Sequence, residues 1–223
     1  MVYLFDISSD CMKYIDKHSV LLSEQRLNKV ERYRFDNDKA LSVYSYILLR
    51  YALYNEHRIT EMPIIFEDKF NKPCLLNLNL KFNISHCNNS LLCGISDDEI
   101  GVDIQDYSEK ITDIQSMFLT EREAEIIESF SNKETTKELM RIWTIKEAYG
   151  KYYGKGLCYE LNQTDFSCIV DDNVWQKYKN LKIYSRTLKN YALSVCANVE
   201  VEIKKVKAEE LFNFADFLIT LCC

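Results

Sequence analysis

The decisive stretch of this chain is Trp143-Thr-Ile-Lys-Glu-Ala-Tyr-Gly-Lys-Tyr-Tyr-Gly-Lys-Gly-Leu157. Its residues predict a helix that ends in a turn at Gly154 and Gly156, because glycine readily adopts the left-handed conformation that follows many helices. In such a helix Glu147 and Lys151 lie one turn apart, about 6 Å along the axis, on the same face. The stretch therefore predicts an acid and a base side by side.

A second stretch, Gly101-Val-Asp-Ile-Gln105, predicts a buried strand. Strand alternation sends Asp103 and Gln105 to one side and Val102 and Ile104 to the other. One carboxylate from this strand and one from the helix can hold Mg²⁺ against a phosphate, because Mg²⁺ usually binds one or two carboxylates together with water and phosphate oxygens. The alternative is structural: a solvated acid-lysine pair on a helix and an ordinary strand end.

Composition limits the classes of protein that fit. The 223 residues are 47% hydrophobic and 28% charged, which is typical of one large or two small globular domains. A net charge of −6 argues against a general nucleic-acid binder. Nine cysteines without C-x-x-C spacing predict neither a zinc site nor a disulfide framework. No signal peptide and no apolar run of about 20 residues is recognisable, so we expect a soluble, cytoplasmic protein with no membrane partner.

Hydrophobic periodicity predicts an α/β (α+β) chain made of two similar α/β halves, each a small sheet packed with helices. The predicted helices are Leu22–Phe35, Asp36–His57, Ile111–Phe118, Glu121–Phe130, Lys133–Tyr153 and a terminal helix from Leu211. The predicted strands are Val2–Ile7, Ile64–Glu67, Lys81–Ser85, Leu91–Ile95, Ile100–Gln105, Asp165–Val170, Trp175–Tyr178, Leu181–Leu188, Tyr191–Ala197 and Val201–Val206. Thr120 and Glu123 form the pattern of a capping box before the fourth helix.

Two more blocks, Asn71-Lys-Pro73 and Phe82-Asn-Ile-Ser-His86, precede the strand and helix stretches. Together the four ordered blocks resemble the signature of the 4′-phosphopantetheinyl transferases of the Sfp type. That signature reads G-K-P, F-N-[IL]-S-H, G-[IV]-D-[IV]-E and W-x-x-K-E-[AS]-x-x-K, with G-x-G shortly after. Asn71 stands where the family usually has glycine, and because asparagine tolerates positive φ we expect the turn to survive the change.

The resemblance implies a Mg²⁺-dependent enzyme. Such an enzyme transfers the 4′-phosphopantetheine group from coenzyme A to a serine of an apo acyl or peptidyl carrier protein and releases 3′,5′-ADP. The resemblance also implies a monomeric pseudo-dimer with its active site between the halves. We expect residues 1–105 to bind coenzyme A and supply the first metal acid, and residues 106–223 to supply the signature helix and the carrier-protein contact.

The same resemblance assigns roles to individual residues. It implies that Asp103, Glu147 and Lys151 are catalytic and that Asp103, Glu147 and Gln105 hold the metal. The residues implied in coenzyme A binding lie near its phosphates or its adenine: Lys72, Pro73, Ser85, His86, Lys146 and Lys151, together with Arg26, Lys29 and Lys39 from a basic cluster without a fixed motif. Met117 and Phe118 fall where the family meets the carrier protein, with core packing as the alternative.

Gln105 is the main departure from the family pattern, because many members have glutamate there. The amide keeps an oxygen ligand but removes a charge, so we expect weaker metal binding. A second hypothesis is therefore a catalytically weak paralogue that binds coenzyme A or carrier protein without efficient transfer. A third is a structural α/β interaction protein, which predicts no coenzyme A binding. The presence of Asp103, Glu147 and Lys151 favours the enzyme.

Overall fold

The computed structural model of this chain describes residues 1–76, 78–155 and 161–222. Its strands are β1 (Val2–Asp6), β2 (Ile64–Glu67), β3 (Pro73–Leu76), β4 (Lys81–His86), β5 (Ser90–Ser96), β6 (Ile100–Asp106), β7 (Trp175–Tyr178), β8 (Leu181–Thr187), β9 (Tyr191–Ala197) and β10 (Ile203–Val206). Its helices are α1 (Ser9–Lys13), α2 (Ile15–Ser19), α3 (Glu24–Glu31), α4 (Asp36–His57), α5 (Gln115–Phe118), α6 (Glu121–Glu128), α7 (Asn132–Tyr152) and α8 (Ala208–Cys222), with 3₁₀ turns at Glu109–Ile114 and Leu161–Gln163.

The strands form two main sheets with the same internal topology. One sheet has the order β10-β1-β5-β4 and the other has the order β6-β9-β8-β7, while β2 and β3 pair separately. In the first sheet β5 pairs antiparallel with both β1 and β4, and in the second β9 pairs antiparallel with both β6 and β8. Each half thus has a first strand, then a long helix (α4 or α7), then a hairpin whose second strand returns to the first. This repeat confirms the prediction of two similar α/β halves.

The sheets do not follow the predicted division at residues 105 and 106. β6 pairs with β9 along its whole length, from Ile100 opposite Ala197 to Asp106 opposite Tyr191, so β6 belongs to the second sheet. β10 returns to the first sheet and pairs in parallel with β1. The first half is therefore built from residues 1–96 and 203–222, and the second from residues 100–197. This crossover follows from pairing between distant segments, which local sequence patterns do not encode.

Strand β4 of the first sheet lies beside β6 of the second sheet, and we call this boundary the seam. Side chains of β4 join the two sheets there. The side-chain oxygen Oδ1 of Asn83 accepts a hydrogen bond from the backbone N–H of Val102 at 2.9 Å. The hydroxyl of Ser85 accepts one from the backbone N–H of Ile104 at 3.4 Å. Because Asn83 and Ser85 are both buried, these bonds satisfy polar groups that would otherwise be stranded inside the protein.

The two long helices occupy the centres of their halves. α4 confirms the predicted helix Asp36–His57 and is buried at every position from Ala40 to Leu53, which is typical of a core helix. The terminal helix α8 confirms the predicted packed helix, because Leu211 and Ala215 are fully buried and the ring of Phe214 packs against that of Tyr51. In the part of the chain that the structure describes, no helix is long and apolar enough to cross a membrane.

Several predicted elements differ from those observed. The segment Asp165–Val170 is a turn and not a strand: the carboxylate of Asp165 accepts a hydrogen bond from the N–H of Ser167 at 2.9 Å, while Phe166 and Ile169 anchor the turn in the core. The predicted helices Leu22–Phe35 and Ile111–Phe118 shorten to α3 and α5, and α1, α2 and β3 were not predicted. The capping box before α6 is confirmed.

Candidate active site

The candidate site lies at the seam, where α7 crosses β6 at Gly101. A Cβ atom at this position would lie 2.0 Å from the carbonyl oxygen of Ala148 and 2.5 Å from the backbone nitrogen of Tyr152. Both neighbours are backbone atoms, so they cannot rotate away. Only glycine permits this approach, which brings the last turns of α7 directly onto the strand that carries Asp103.

Asp103 is fully buried and is held by two side chains. Its Oδ1 lies 2.6 Å from the ammonium of Lys151 and accepts a hydrogen bond from the Ser85 hydroxyl at 2.7 Å. Lys151 also donates to the Ser85 oxygen at 3.1 Å, and the same oxygen accepts from the N–H of Ile104. A hydroxyl has one donor and two acceptor positions, so Ser85 uses all of them inside the protein. Its predicted contact with a coenzyme A phosphate is therefore replaced by a structural role.

Asp103 and Glu147 each carry a buried carboxylate oxygen without a hydrogen-bond partner among the described residues, namely Oδ2 and Oε1. Unpaired buried oxygens of this kind are costly and point to a missing ligand. Burial first, and then the nearby charge of Asp103, raise the pKa of Glu147 to about 7, while the charge of Lys151 opposes the shift. The two acids are thus close enough to interact and are ready to accept positive charge.

The donor set at this position fits Mg²⁺. Two carboxylates with unpaired oxygens match the hard oxygen ligands that this ion prefers. Gln105, two positions along β6 from Asp103, is half-buried and lines a cavity of about 310 Å³ together with His86. Within the described ranges no cluster of three or more His, Cys, Asp or Glu residues could hold a metal. The remaining ligands would therefore come from the Gln105 amide, water or phosphate.

A larger cavity of about 830 Å³ lies beside the seam, between α3, α4, β4 and the β2–β3 hairpin. Its volume suits a cofactor-sized ligand. The predicted coenzyme A residues Arg26, Lys29, Pro73 and His86 line it. Lys39 does not line it; this ammonium lies 3.5 Å from the carboxylate of Asp36 on the first turn of α4.

The polar end of the large cavity is cationic. The guanidinium of Arg26 donates to the carbonyl of Ser42 at 3.2 Å and lies over the ring of Tyr46, and burial lowers the Arg26 pKa from its ordinary value. His86 reaches solvent at the cavity mouth, yet partial desolvation and then the charge of Lys151 hold its pKa below the usual value. A ligand phosphate here would meet Arg26 directly and would favour protonation of His86.

Lys146 has a role different from the predicted one. Its ammonium is fully buried, donates to the carbonyls of Leu161 and Thr164 at 2.7 Å each, and pairs with the carboxylate of Glu123 at 2.8 Å. Three partners satisfy all three donor positions of an ammonium. Lys146 therefore ties α7 to α6 and to the segment after residue 160, and it has no donor left for coenzyme A.

Lys72 also points away from the large cavity. The predicted turn is confirmed, since Asn71 has φ of 59° and the carboxylate of Asp68 accepts from the N–H of Lys72 at 2.9 Å. The Lys72 ammonium, however, lies 2.5 Å from Glu99 and 3.3 Å from the carbonyl of Tyr152. Only its neighbour Pro73 lines the cavity, so the adenine contact predicted for the Lys72 side chain has no support from its position.

Met117 and Phe118, the two residues predicted to contact the carrier protein, differ in their exposure to solvent. Met117 is 70% exposed on α5, as a docking residue must be. Phe118 is fully buried, and its ring packs edge-to-face against Trp143 at 5.1 Å. The core-packing alternative therefore holds for Phe118. In the turn after α7, Gly154 has φ of 69°, as predicted, whereas Gly156 lies outside the described residues.

Sequence reasoning missed four contributors to this geometry: the bond of Asn83 across the seam, the glycine requirement at Gly101, the acid Glu99, and the pairing of Glu123 with Lys146. The helix period contained a usable signal for one of them. Adjacent helix residues point about 100° apart, so Lys146 cannot share the face of Glu147 and needs a separate partner.

Comparison with known proteins agrees with this geometry. A family model described as the 4′-phosphopantetheinyl transferase superfamily matches residues 99–196, which include β6 and α7. The 4′-phosphopantetheinyl transferase gsp of Aneurinibacillus migulanus is 30% identical over 217 residues, covering 89% of this chain and 90% of that protein. The 4′-phosphopantetheinyl transferase Sfp of Bacillus subtilis is 24% identical over 200 residues, covering 85% and 89%. Because the similarity to a relative that is 30% identical spans nearly the full length of both chains, the chain is a transferase that belongs to the 4′-phosphopantetheinyl transferase superfamily.

Proposed function

We propose that this protein transfers the 4′-phosphopantetheine group of coenzyme A to a serine of an apo acyl or peptidyl carrier protein, with Mg²⁺, and releases 3′,5′-ADP. The observation that carries the proposal is the pair of buried acids, Asp103 and Glu147, each with one unpaired oxygen, together with the ammonium of Lys151, which lies 2.6 Å from the other oxygen of Asp103. The names of the related proteins support the group transferred. The large cavity, which Asn83 and His86 of β4 line, supports a substrate of the size of coenzyme A.

In the proposed reaction the serine oxygen attacks the phosphorus bonded to pantetheine. A new phosphorus–oxygen bond forms, the bond to the other phosphate of the pyrophosphate breaks, and 3′,5′-ADP leaves with the bonding electrons. Mg²⁺, when bound by Asp103 and Glu147, supplies charge neutralisation for the pyrophosphate. Glu147 is the acid that can accept the serine proton, since its carboxylate is ionised when it holds the metal. Lys151 supplies positive charge at the leaving oxygen.

The cavity residues orient the substrate in this scheme. Arg26 and Lys29 face the phosphates from α3, and His86 faces them from the end of β4. Pro73 provides an apolar wall for the adenine end. Met117 lies on the exposed side of α5, where an apolar side chain can meet a helix of the carrier protein. One chain supplies both sides of the site, so we propose that it acts as a monomer. We also propose that it works in the cytoplasm.

Gln105 favours one alternative function within the same family. Without a third acid, the pair Asp103 and Glu147 attracts a divalent cation less strongly. The alternative is a weak paralogue that binds coenzyme A or carrier protein but transfers slowly. The change Gln105→Glu separates the two: it should raise transfer strongly for a weak paralogue and only slightly for an efficient enzyme.

The test is the intact mass of apo carrier proteins after incubation with the protein, coenzyme A and Mg²⁺. The proposal expects a gain of one phosphopantetheine, lost with EDTA and in both Asp103→Asn and Glu147→Gln. The exposed acid Asp98, in the turn before β6, provides a matched control as Asp98→Asn. No gain with any of several acyl and peptidyl carriers, together with a thermal shift on adding coenzyme A, would point to the paralogue. Absence of both signals would reject coenzyme A chemistry altogether.

A further inference from the structure

Lys72 bridges the turn beside the large cavity and the end of α7. Its ammonium pairs with Glu99 at 2.5 Å and donates to the carbonyl of Tyr152 at 3.3 Å, and its side chain is only 11% exposed. Tyr152 is the last residue of α7. Carbonyls in the last turn of a helix lack intrahelical partners, and a cation there is also stabilised by the helix dipole. Lys72 therefore caps α7 from the other half of the protein.

The turn that carries Lys72 is itself rigid. The carboxylate of Asp68 accepts hydrogen bonds from the N–H groups of Phe70 at 2.8 Å and Lys72 at 2.9 Å. These bonds lower the pKa of Asp68, so the carboxylate stays ionised at neutral pH. The next residue, Pro73, lines the large cavity. One fixed turn thus presents Pro73 to the cavity and Lys72 to the helix.

The helix end that Lys72 holds carries the charge needed for chemistry. Lys151 immediately precedes Tyr152, and its ammonium lies 2.6 Å from Asp103. The backbone nitrogen of Tyr152 also packs against Gly101 of β6. A shift of the Tyr152 carbonyl would therefore carry Lys151 with it.

We propose that Lys72 is a positioning residue that couples the cavity turn to the final turn of α7 and so fixes Lys151 for phosphoryl transfer. This role rests on the proposed function for its catalytic consequence, but its structural consequence stands independently. It replaces direct binding of coenzyme A by the Lys72 side chain. Glu99 completes the device through its contact with Lys72; its other carboxylate oxygen lies 3.3 Å from Lys81, whose side chain is 44% exposed and therefore adds little to the hold on Glu99.

The test compares Lys72→Met, which keeps length but removes charge, with the conservative Lys72→Arg. Lys81→Met is the matched control, because Lys81 pairs with the same Glu99 but is placed on β4. Two readouts are measured: kcat and KM for coenzyme A, and hydrogen–deuterium exchange of the amides of Tyr153, Gly154 and Lys155. Those amides donate to carbonyls of the last turn of α7 and report its order.

For Lys72→Met we expect kcat to fall by about 10- to 100-fold, since a 1 Å misplacement can cost about 10²-fold. KM for coenzyme A should stay within about twofold of the original value, and the three amides should exchange about 10-fold faster. Lys72→Arg should keep most of the original kcat and nearly the original exchange rates. Lys81→Met should change neither kcat nor exchange. If Lys72→Met does not fold, Glu99→Gln is measured in its place. It should lower kcat and speed exchange of the three amides in the same way, but by less.

The readouts separate failure of this inference from failure of the proposed function. A raised KM with unchanged kcat and unchanged exchange would overturn positioning and return Lys72 to direct ligand binding. Unchanged kcat, KM and exchange would overturn it too. If the unaltered protein transfers nothing, faster exchange in Lys72→Met still supports the cap on α7, and unchanged exchange still overturns it.

Discussion

Gly101→Ala tests whether backbone contact between α7 and β6 sets the geometry of the acids. The added methyl group would lie 2.0 Å from the carbonyl oxygen of Ala148, whereas real contacts of this kind are at least 3.0 Å. The helix must therefore retreat by about 1 Å, because neither backbone atom can rotate away. Glu147 and Lys151 would move with it, away from Asp103.

Two effects of different size follow from this retreat. Overpacking against a rigid neighbour costs about 1–3 kcal/mol of unfolding free energy, and contact with backbone places Gly101→Ala near the upper end. Displacing Lys151 by about 1 Å from its partner should lower kcat about 10²-fold. Binding of coenzyme A should change little, because Gly101 does not line the large cavity.

Gly94→Ala is the matched control, since Gly94 lies on β5 and faces β6, the strand that carries Gly101. Its methyl group would meet Cδ1 of Ile100 at 2.9 Å and Cγ1 of Val102 at 3.0 Å, which are ends of side chains. These can shift slightly, and alanine also restricts the unfolded chain, so the net cost should be within about 1 kcal/mol. Urea unfolding measures stability, and the intact-mass transfer assay measures kcat.

The reasoning is refuted if Gly101→Ala and Gly94→Ala show the same stability and the same kcat. It is also refuted if Gly101→Ala is strongly destabilised but keeps full kcat at a temperature where it is folded. The first result would show that α7 does not rest on Gly101. The second would show that the position of α7 does not control catalysis.

Three further changes have distinct expected outcomes. In EDTA, the free energy of unfolding should fall by up to about 3 kcal/mol as pH rises from 4.5 to 7, because only the folded state keeps Glu147 protonated in that range. Urea titrations at several pH values would measure this fall, and Glu147→Gln should remove it. Lys146→Met should destabilise the fold by about 3 kcal/mol or more by leaving Glu123 buried without its cation, yet leave the coenzyme A Kd unchanged by calorimetry; a large rise in Kd would contradict the structural role. Met117→Ala should raise KM for the carrier protein without loss of stability, whereas Phe118→Ala should cost about 3–5 kcal/mol; equal melting temperatures would show that the assigned burial is incorrect.

Local patterns predicted much of the fold because they record burial of one face. The helix Asp36–His57 and the strands Ile64–Glu67, Trp175–Tyr178 and Tyr191–Ala197 have the predicted bounds. The strand prediction for Asp165–Val170 was wrong because two of its apolar residues, Phe166 and Ile169, anchor a turn, and short apolar runs do not distinguish a strand from such anchors.

Pairings across the chain could not be predicted in the same way. The parallel pairing of β10 with β1 joins segments about two hundred residues apart, and no local period records it. The same limit applies to the site. Motif spacing placed Asp103 and Lys151 near each other, but it could not show that Ser85 is saturated by them or that Lys72 turns toward α7.

Asp103 and Glu147 are compensated in two different ways, and this difference defines what a divalent cation would have to displace. Lys151 compensates Asp103 through a direct contact at 2.6 Å, whereas Glu147 is compensated by a proton up to a pH of about 7. If Asp103 and Glu147 held a divalent cation, Glu147 would have to give up that proton, and Lys151 would share Asp103 with the cation. A weaker hold of Asp103 on Lys151 would leave more of the ammonium's charge for the pyrophosphate of the proposed reaction. Under the proposed function, the same two acids would thus link metal binding to the placement of Lys151.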